Sequence, residues 1–538
     1  MSRALKWIAV TVAVLVILVV AALAAIPWLV DTPRIQTLIA TSASQALGRP
    51  VRFASVSVSV VPLPAVVLRN LEVAEDPAFG PTPFLRLNEA QVRLRLWPLL
   101  LFRVELGDFV LKEPTISLIQ AADGRWNFAS LGAGAEPRPA GRSRGSGTGA
   151  AGAAALGSRV KIDNGVVTYE ARGPRAGGHY RMENVSLALA GGPGALTFQG
   201  EAHVKPGDLA LKISDGSVSG GGGRAVGEAS LRGRVNVEGR QLRELAAVAM
   251  GPEPALSGAI KGTLTLAGTV GRPRASGQIE VSDFSVSHVS PNCPEPKRRT
   301  LALGPVKAGV AWDEPRFTAH PLETSLGGGS VTTNVVATLE HGVRIELTDL
   351  GVKKVPAEKV LVDFLCQGYA VSGPLDLGGN AAARLGELWT TLGGAGQLHV
   401  GPGQVVGAHA LALLSNVIRI GGAVSAALSG EAPRVDTGSG LEYESITATY
   451  TITNGVVSTR DLLFTSRALK LSAAGTYALA SGAMNVDLVV GVSRGEIKAK
   501  VTGTASAPSI RVAPESVLRG VDQEKVQRGL QDLLKRFR

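Results

Sequence analysis

The chain has 538 residues, with 66 glycines, 24 aromatics (12 Phe, 6 Tyr and 6 Trp) and a formal net charge of +11. Glycine is thus roughly 12% against a usual ~7%, and aromatics are only 4%, a balance that fits many short strands and tight turns better than compact α/β enzyme domains. A hydrophobic share of 45% excludes a polytopic membrane protein, and basic residues scattered without interleaved aromatics disfavour nucleic acid as a partner.

The first element is an uncharged run from Trp7 to Val30, bracketed by Arg3 and Lys6 before it and Asp31 after it. At 1.5 Å per residue it reaches about 36 Å, enough for a ~30 Å hydrocarbon core. Trp7 and Trp28 stand near its ends, with Val14 and Leu18 between them. The positive flank predicts a cytoplasmic N-terminus and a single-pass membrane anchor over residues 1–30. A cleaved signal peptide ending at the Ala-Leu-Ala of 22–24 is the alternative. Either one exports the bulk of the chain.

Thr32-Pro33 is an N-cap and first-turn pair opening a helix that Gly48 ends. Beyond it the hydrophobic period switches to two. "VRFASVSVSV", "VVLRNLEV", "FLRLNEAQVRLRLW" and "RVELGDFVLKEPTISLIQ" read as successive strands, with "EDPAFGP" and "ADGRW" as hairpin turns. Val56, Val58 and Val60 fall on one face of the first of these, and Val92, Leu94 and Leu96 on one face of the third. Residues 31–131 form this first helix-plus-strand domain. Residues 132–158 are rich in Gly, Ala, Pro and Arg and read as a flexible linker. The strand pattern then runs through 159–513, as alternating strands with Gly or Asn-Gly turns, including "KIDNGVVTYEA" and "YTITNGVVSTRDLLFTS". Helical interruptions are expected at 240–250, 354–369 and 407–420. Residues 514–538 carry apolar positions at helical spacing and read as an amphipathic helix.

Little here points to chemistry. The seven histidines show no metal-ligand spacing, so no metal or cofactor is expected. "GVSRG" (491–495) fits the Gly-x-Ser-x-Gly nucleophile pattern with Ser493, but it lies between two alternating segments rather than at a strand-to-helix turn, so a hairpin turn is expected and no catalytic residue is assigned. Cys293 and Cys366 are too few for a disulfide scaffold. They could pair, but a loop thiol at Cys293 and a buried thiol at Cys366 are expected. With few aromatics and few helices to cover it, a large antiparallel sheet of this kind leaves an apolar face suited to acyl chains.

The chain resembles the AsmA family of Gram-negative envelope proteins. The resemblance rests on "LGRPV" at 47–51, the Pro-interrupted strand near Pro64, "DPAFG" at 76–80, "WPLL" at 97–100, the Glu-Pro before the next strand, and "DGRWNF" at 123–128. A second region, "PAEKVLVDF" through "GAHALALL", is also similar, while 170–350 matches only in style. The resemblance implies a mainly β fold: an elongated, curled antiparallel β-sheet groove with a few helices, related to bridge-like lipid-transfer proteins. It implies an inner-membrane-anchored, non-enzymatic protein of outer-membrane biogenesis that binds phospholipid and conducts it along the groove. Val56, Val58, Val60, Val92, Leu94 and Leu96 are its groove candidates. The partners expected are phospholipids and the inner membrane. Outer-membrane or other envelope proteins would be the partners if the chain is instead a structural or assembly factor.

Overall fold

The computed structural model describes residues 33–59, 65–94, 106–131, 159–172, 179–192, 195–220, 226–290, 293–339, 342–366, 370–406, 411–412, 415–416, 441–467, 470–492, 495–505 and 507–512. The expected anchor with Trp7, Val14, Leu18 and Trp28, the 132–158 linker, the C-terminal helix, Val60 and Leu96 lie outside them. Among the described residues no helix is long and apolar enough to cross a membrane. The chain divides into two compact units: one holds residues up to Ala249 with Ile260–Gly277 and Ala311–Glu314, and the other holds Met250–Ala259, Gln278–Val310 and the residues from Pro315 on.

Strands dominate, as period two demands. Helix α1 (Pro33–Leu47) begins at the proline and stops at Gly48, whose φ of 69° is the left-handed cap a helix end favours. The strands that follow are β1 (Val51–Arg52), β2 (Ser55–Ser59), β3 (Ala65–Val73), β4 (Leu85–Leu94), β5 (Leu106–Lys112) and β6 (Thr115–Gln120). Then come β7 (Arg159–Ala171), β8 (Tyr180–Gly192), β9 (Ala195–Lys205), β10 (Leu209–Ser219), β11 (Ser230–Gly239), α2 (Leu242–Met250) and β12 (Ala255–Gly268). Neighbours pair antiparallel except at β7, which runs parallel to both β5 and β6. The segment expected as one strand over 103–120 breaks because Pro114 cannot donate to the ladder and Glu113 takes a φ of 50°, so β5 and β6 meet β7 in series.

The chain continues with β13 (Pro273–Val289), β14 (Arg298–Ala302) and β15 (Val306–Asp313), which belong to the second unit from Gln278 to Val310. Then, within that unit, come β16 (Arg316–Leu326), β17 (Gly329–Leu339), β18 (Val343–Pro356), β19 (Pro374–Arg384) and β20 (Gly393–Val400). The two-stranded hairpin of β21 (Gly403–Val405) and β22 (Leu441–Tyr443) follows, then β23 (Ser445–Thr453), β24 (Val456–Thr465), β25 (Lys470–Ala478), β26 (Ala483–Val492), β27 (Gly495–Thr504) and β28 (Ala507–Val512). The helix expected over 354–369 shrinks to a π-helical turn at Lys359–Phe364, because β18 claims the chain as far as Pro356. Cys293 and Cys366 are joined, with Cα atoms 5.4 Å apart, which corrects the expectation of two free thiols. Sequence spacing could not show that the loop after β13 meets the turn after the π-helix.

Most strands are straight runs of alternation, but several carry one irregularity of a common kind. Leu68-Arg69-Asn70-Leu71, Ile162-Asp163-Asn164-Gly165, Met182-Glu183-Asn184-Val185, Ile213-Ser214-Asp215-Gly216 and Leu347-Thr348-Asp349-Leu350 each place two polar residues between inward positions. The third residue of each is left-handed, with φ of 50°, 54°, 53°, 53° and 52° at Asn70, Asn164, Asn184, Asp215 and Asp349. At Asn70 β3 and β4 keep one register; at the other four points the strand register skips. These are β-bulges, which bend and twist a strand while returning its apolar residues to the same face. Asn and Asp occupy them because they tolerate the left-handed region better than other side chains with a Cβ. The Asn164-Gly165 pair, expected as a hairpin turn, is thus a bulge inside β7. Asn454-Gly455, with φ of 49° and 74°, is a true turn joining β23 to β24.

Replacing Asn70 or Asn164 by Val should lower stability by ~1–2 kcal/mol, the cost of a left-handed L-residue, while Gly should be near neutral at Asn70. Urea unfolding of the three variants beside the parent measures it. Reducing the Cys293–Cys366 bond should remove about 4 kcal/mol, given its sequence separation of 73 and the loop-entropy relation. Thermal melts with and without reductant read that loss.

Candidate lipid-binding face

The ladder registers determine which side chains share a face. Val56 and Val58 of β2 stand opposite Leu68 and Val66 of β3, which stand opposite Ala90 and Val92 of β4. Those meet Leu111 and Phe109 of β5, then Ile162 and Val160 of β7. The row passes on through Leu187 and Leu189 of β8 to Gly200 and Phe198 of β9, Ile213 and Gly216 of β10, and Val235 and Leu264. One face of the first unit is therefore apolar from strand to strand, at about 4.8 Å per step. The facing row of the other side reads Ser57, Val67, Gln91, Val110, Lys161, Ala188 and Gln199, with Val67 and Val110 buried, and is polar farther on at Lys212, Arg234 and Thr265. Cross-strand polar contacts such as Lys112–Glu89 at 2.8 Å and Thr263 Oγ1 donating to Asn236 at 2.9 Å lie there, exposed. Their worth to stability is small, ~0–1 kcal/mol for an exposed ion pair. Their consequence is that this side prefers water.

The second unit repeats the arrangement. Ile345 and Leu347 oppose Ala383 and Ala381, Leu377 opposes Leu398, Leu398 opposes Ala448, and Leu488 and Val490 oppose Ala499 and Ile497. On the other side Asp487 lies opposite Lys500, 3.6 Å apart.

Burial varies along these faces. Leu187, Leu189, Phe198, Ile213 and Leu264 are only partly buried, shielded by one another rather than sealed under a second layer. Of the positions singled out from sequence, Val58 and Val92 are partly buried, whereas Val56 is 1% exposed. Leu94 closes β4 as backbone. The structure thus brings Val56, Val58 and Val92 onto one face, and that face extends far past them, into β7–β12. The broken alternation at the Asn/Asp bulges is the signal that could have extended it from sequence.

The first unit also holds a buried polar network. Arg49, Glu75 and Asn127 are 5%, 7% and 0% exposed. The Arg49 guanidinium donates to Glu75 at 3.1 Å, to Ser130 Oγ at 2.7 Å and to the Asn127 carbonyl, and lies 5.3 Å from the Phe84 ring centroid. Asn127 Nδ2 donates to Glu75 at 2.7 Å and to the Ser117 carbonyl at 2.8 Å, and its Oδ1 accepts from the Ile119 amide at 3.0 Å. Three sequence landmarks, Leu-Gly-Arg-Pro-Val, Glu-Asp-Pro-Ala-Phe-Gly and Asp-Gly-Arg-Trp-Asn-Phe, are thereby one lock. Beside it, the Ala78 amide and then the Ser130 hydroxyl hold the Asp76 carboxyl below its usual range, with Arg49 a lesser contributor.

No group of His, Cys, Asp and Glu among the described residues could hold a metal ion. The Gly-x-Ser-x-Gly match lies between β26 and β27, whose Val492 and Gly495 pair antiparallel, so it is a hairpin context; Ser493 itself is outside the described residues.

Residues 1–224 match the family model described as AsmA family. No curated protein and no solved structure matches the chain. The match takes in every landmark quoted from the N-terminal half and continues through β8–β10, where the bulged strands carry no such landmark.

Glu75→Ala should cost about 3–5 kcal/mol, because it strands a buried guanidinium. Glu72→Ala, which removes an exposed partner of Arg86, should cost under about 1 kcal/mol. Chemical denaturation of both variants makes the comparison. The pH dependence follows from Asp76, whose folded pKa lies below the usual aspartate value. Its contribution is present above the unfolded value and is lost as pH falls through the folded one. Stability should hold from neutrality to about pH 4 and fall below it, as a pH series of thermal melts would show.

Proposed function

We propose, because residues 1–224 match the AsmA family model and that family is associated with the bacterial envelope, that this protein binds phospholipid by its acyl chains along the apolar faces described above and conducts it between membranes. The observation that carries the reading is the pair of apolar rows that run in register from Val56 to Leu264 and from Val58 to Phe198, with Leu187, Leu189, Phe198, Ile213 and Leu264 partly exposed. An acyl chain laid on them gains the ~0.8 kcal/mol per CH₂ of leaving water, and no side chain need react. The rows carry no charge at their facing positions, so headgroups would remain in solvent beyond the strand ends. Movement along a face with no single deep pocket meets similar side chains at each strand, which suits sliding rather than capture.

The disulfide supports an exported chain, since such bonds persist in oxidising compartments. The uncharged run of residues 7–30 supports attachment to the inner membrane, with the remainder in the periplasm. The polar faces favour solvent, which speaks for lipid over a second protein layer as the main occupant. A role as an assembly factor for outer-membrane proteins is the competing reading and predicts protein partners without lipid.

The test uses adjacent residues on opposite faces of β8. Purified full-length protein should carry phospholipid detectable by mass spectrometry of its organic extract. Leu189→Asp should reduce that lipid severely, and Ala188→Asp should leave it unchanged. Equal lipid in the two variants, or none in the parent, would contradict the proposal.

A further inference from the structure

The second unit's apolar face is not uniform along its strands. Toward one end of β20, β23, β24, β25 and β26 lie Val400, Ile446, Phe464, Leu471 and Val490, and the hairpin β21–β22 lays Val405, Leu441 and Tyr443 against them in a single buried cluster. Val490 is 0% exposed there, and on β26 and β27 alone the cluster runs on along the strands through Val486, Met484 and Val501. Toward the other strand end, Ile452 and Val457, paired across β23 and β24, are partly buried and stand outside that cluster. The hairpin is held by more than contact. Tyr443 Oη donates to the Ser372 carbonyl at 2.6 Å, the Ser372 amide donates to the Gln404 carbonyl at 2.9 Å, and the Gln404 amide donates to Ser372 Oγ at 3.1 Å. A Cβ at Gly403 would meet the Ser372 carbonyl oxygen at 1.9 Å, so the glycine is what lets the hairpin lie this close. Burial pushes the Tyr443 phenol up to about 12, with Glu358 adding to it, so the hydroxyl stays a donor at any physiological pH.

We infer that the β21–β22 hairpin is an end-stop: its Leu441 and Tyr443 occupy the apolar face at that strand end, so that an acyl chain on the second unit is confined to the stretch around Ile452 and Val457. This rests on the lipid-binding reading. It assigns to Tyr443, Leu441 and Val405 a positioning role, setting how much of each strand is open to a tail. Ile446 and Ile452 share a face of β23, through pairing with Val400 and Gly394 of β20, and are about 20 Å apart at ~3.4 Å per residue. A stop between them would separate occupied from sealed face within one strand.

The experiment places a small diazirine amino acid at Ile452 or at Ile446 of the full-length protein and photolyses it after loading with vesicles of phosphatidylethanolamine and phosphatidylglycerol. Mass spectrometry then reads lipid adducts. The expected result is adduct at 452 and its loss at 446, with adduct appearing at 446 when Tyr443→Ala or Leu441→Ala is added. Where those variants melt early, Val405→Ala makes the same opening with less lost volume, and the intact Cys293–Cys366 bond reports the fold. Adduct at both positions in the parent overturns the end-stop while leaving lipid binding standing. A silent 446 in all folded hairpin variants also overturns it. Adduct at neither position overturns the end-stop and the lipid reading together.

Discussion

The constraint on which the structure depends is that a two-faced strand must keep its two faces separate across every neighbour. A slip of one residue in any ladder would turn Val, Leu and Ile toward water and Lys, Arg and Asp toward the apolar row. In both units the registers avoid this, and the bulges are the means. At Asn164, Asn184, Asp215 and Asp349 a left-handed residue absorbs one extra residue, so that Leu347 and Leu350, for example, remain on one side. A bulge also bends its strand. The device that preserves the apolar face therefore also curves the strands that carry it.

The buried Arg49–Glu75–Asn127 lock ties three segments of the first unit together by hydrogen bonds. The β21–β22 hairpin covers a stretch of the second unit's apolar face with the chain's own residues and is fixed by hydrogen bonds that would be lost if the cover left. Elsewhere, among the described residues, Leu187, Leu189, Phe198, Ile213 and Leu264 stay partly exposed. A protein that needed only a stable core would gain by sealing them. Leaving long apolar rows partly exposed fits a ligand of the same chemistry, which is why the acyl chain is the favoured occupant.

Much of this was legible in the sequence. Alternation gave the strands, Thr32-Pro33 and Gly48 bounded α1, and Val58 and Val92 landed on a shared face. What alternation could not show was anything set by distant contact. The disulfide joins loops with a sequence separation of 73, and Glu113-Pro114 divides one apparent strand so that both halves can pair with β7. The Asn-Gly of 164–165 reads locally like that of 454–455. Only the neighbouring strands decide that one is a bulge and the other a turn. The network around Arg49 was visible as family landmarks but not as a network, because an arginine, a glutamate and an asparagine far apart in sequence give no sign that they are buried together.

The central claim is that acyl chains lie on one face of these strands and not the other, and proximity to the lipid tail measures it most directly. A fluorescent amino acid placed at Leu264 or at the adjacent Thr263 of β12, on opposite faces of the strand, would be exposed to phospholipid carrying a nitroxide within its acyl chain. The account predicts strong quenching at 264 and little at 263. Equal quenching at the two positions, or none at 264 with lipid in excess, would contradict it.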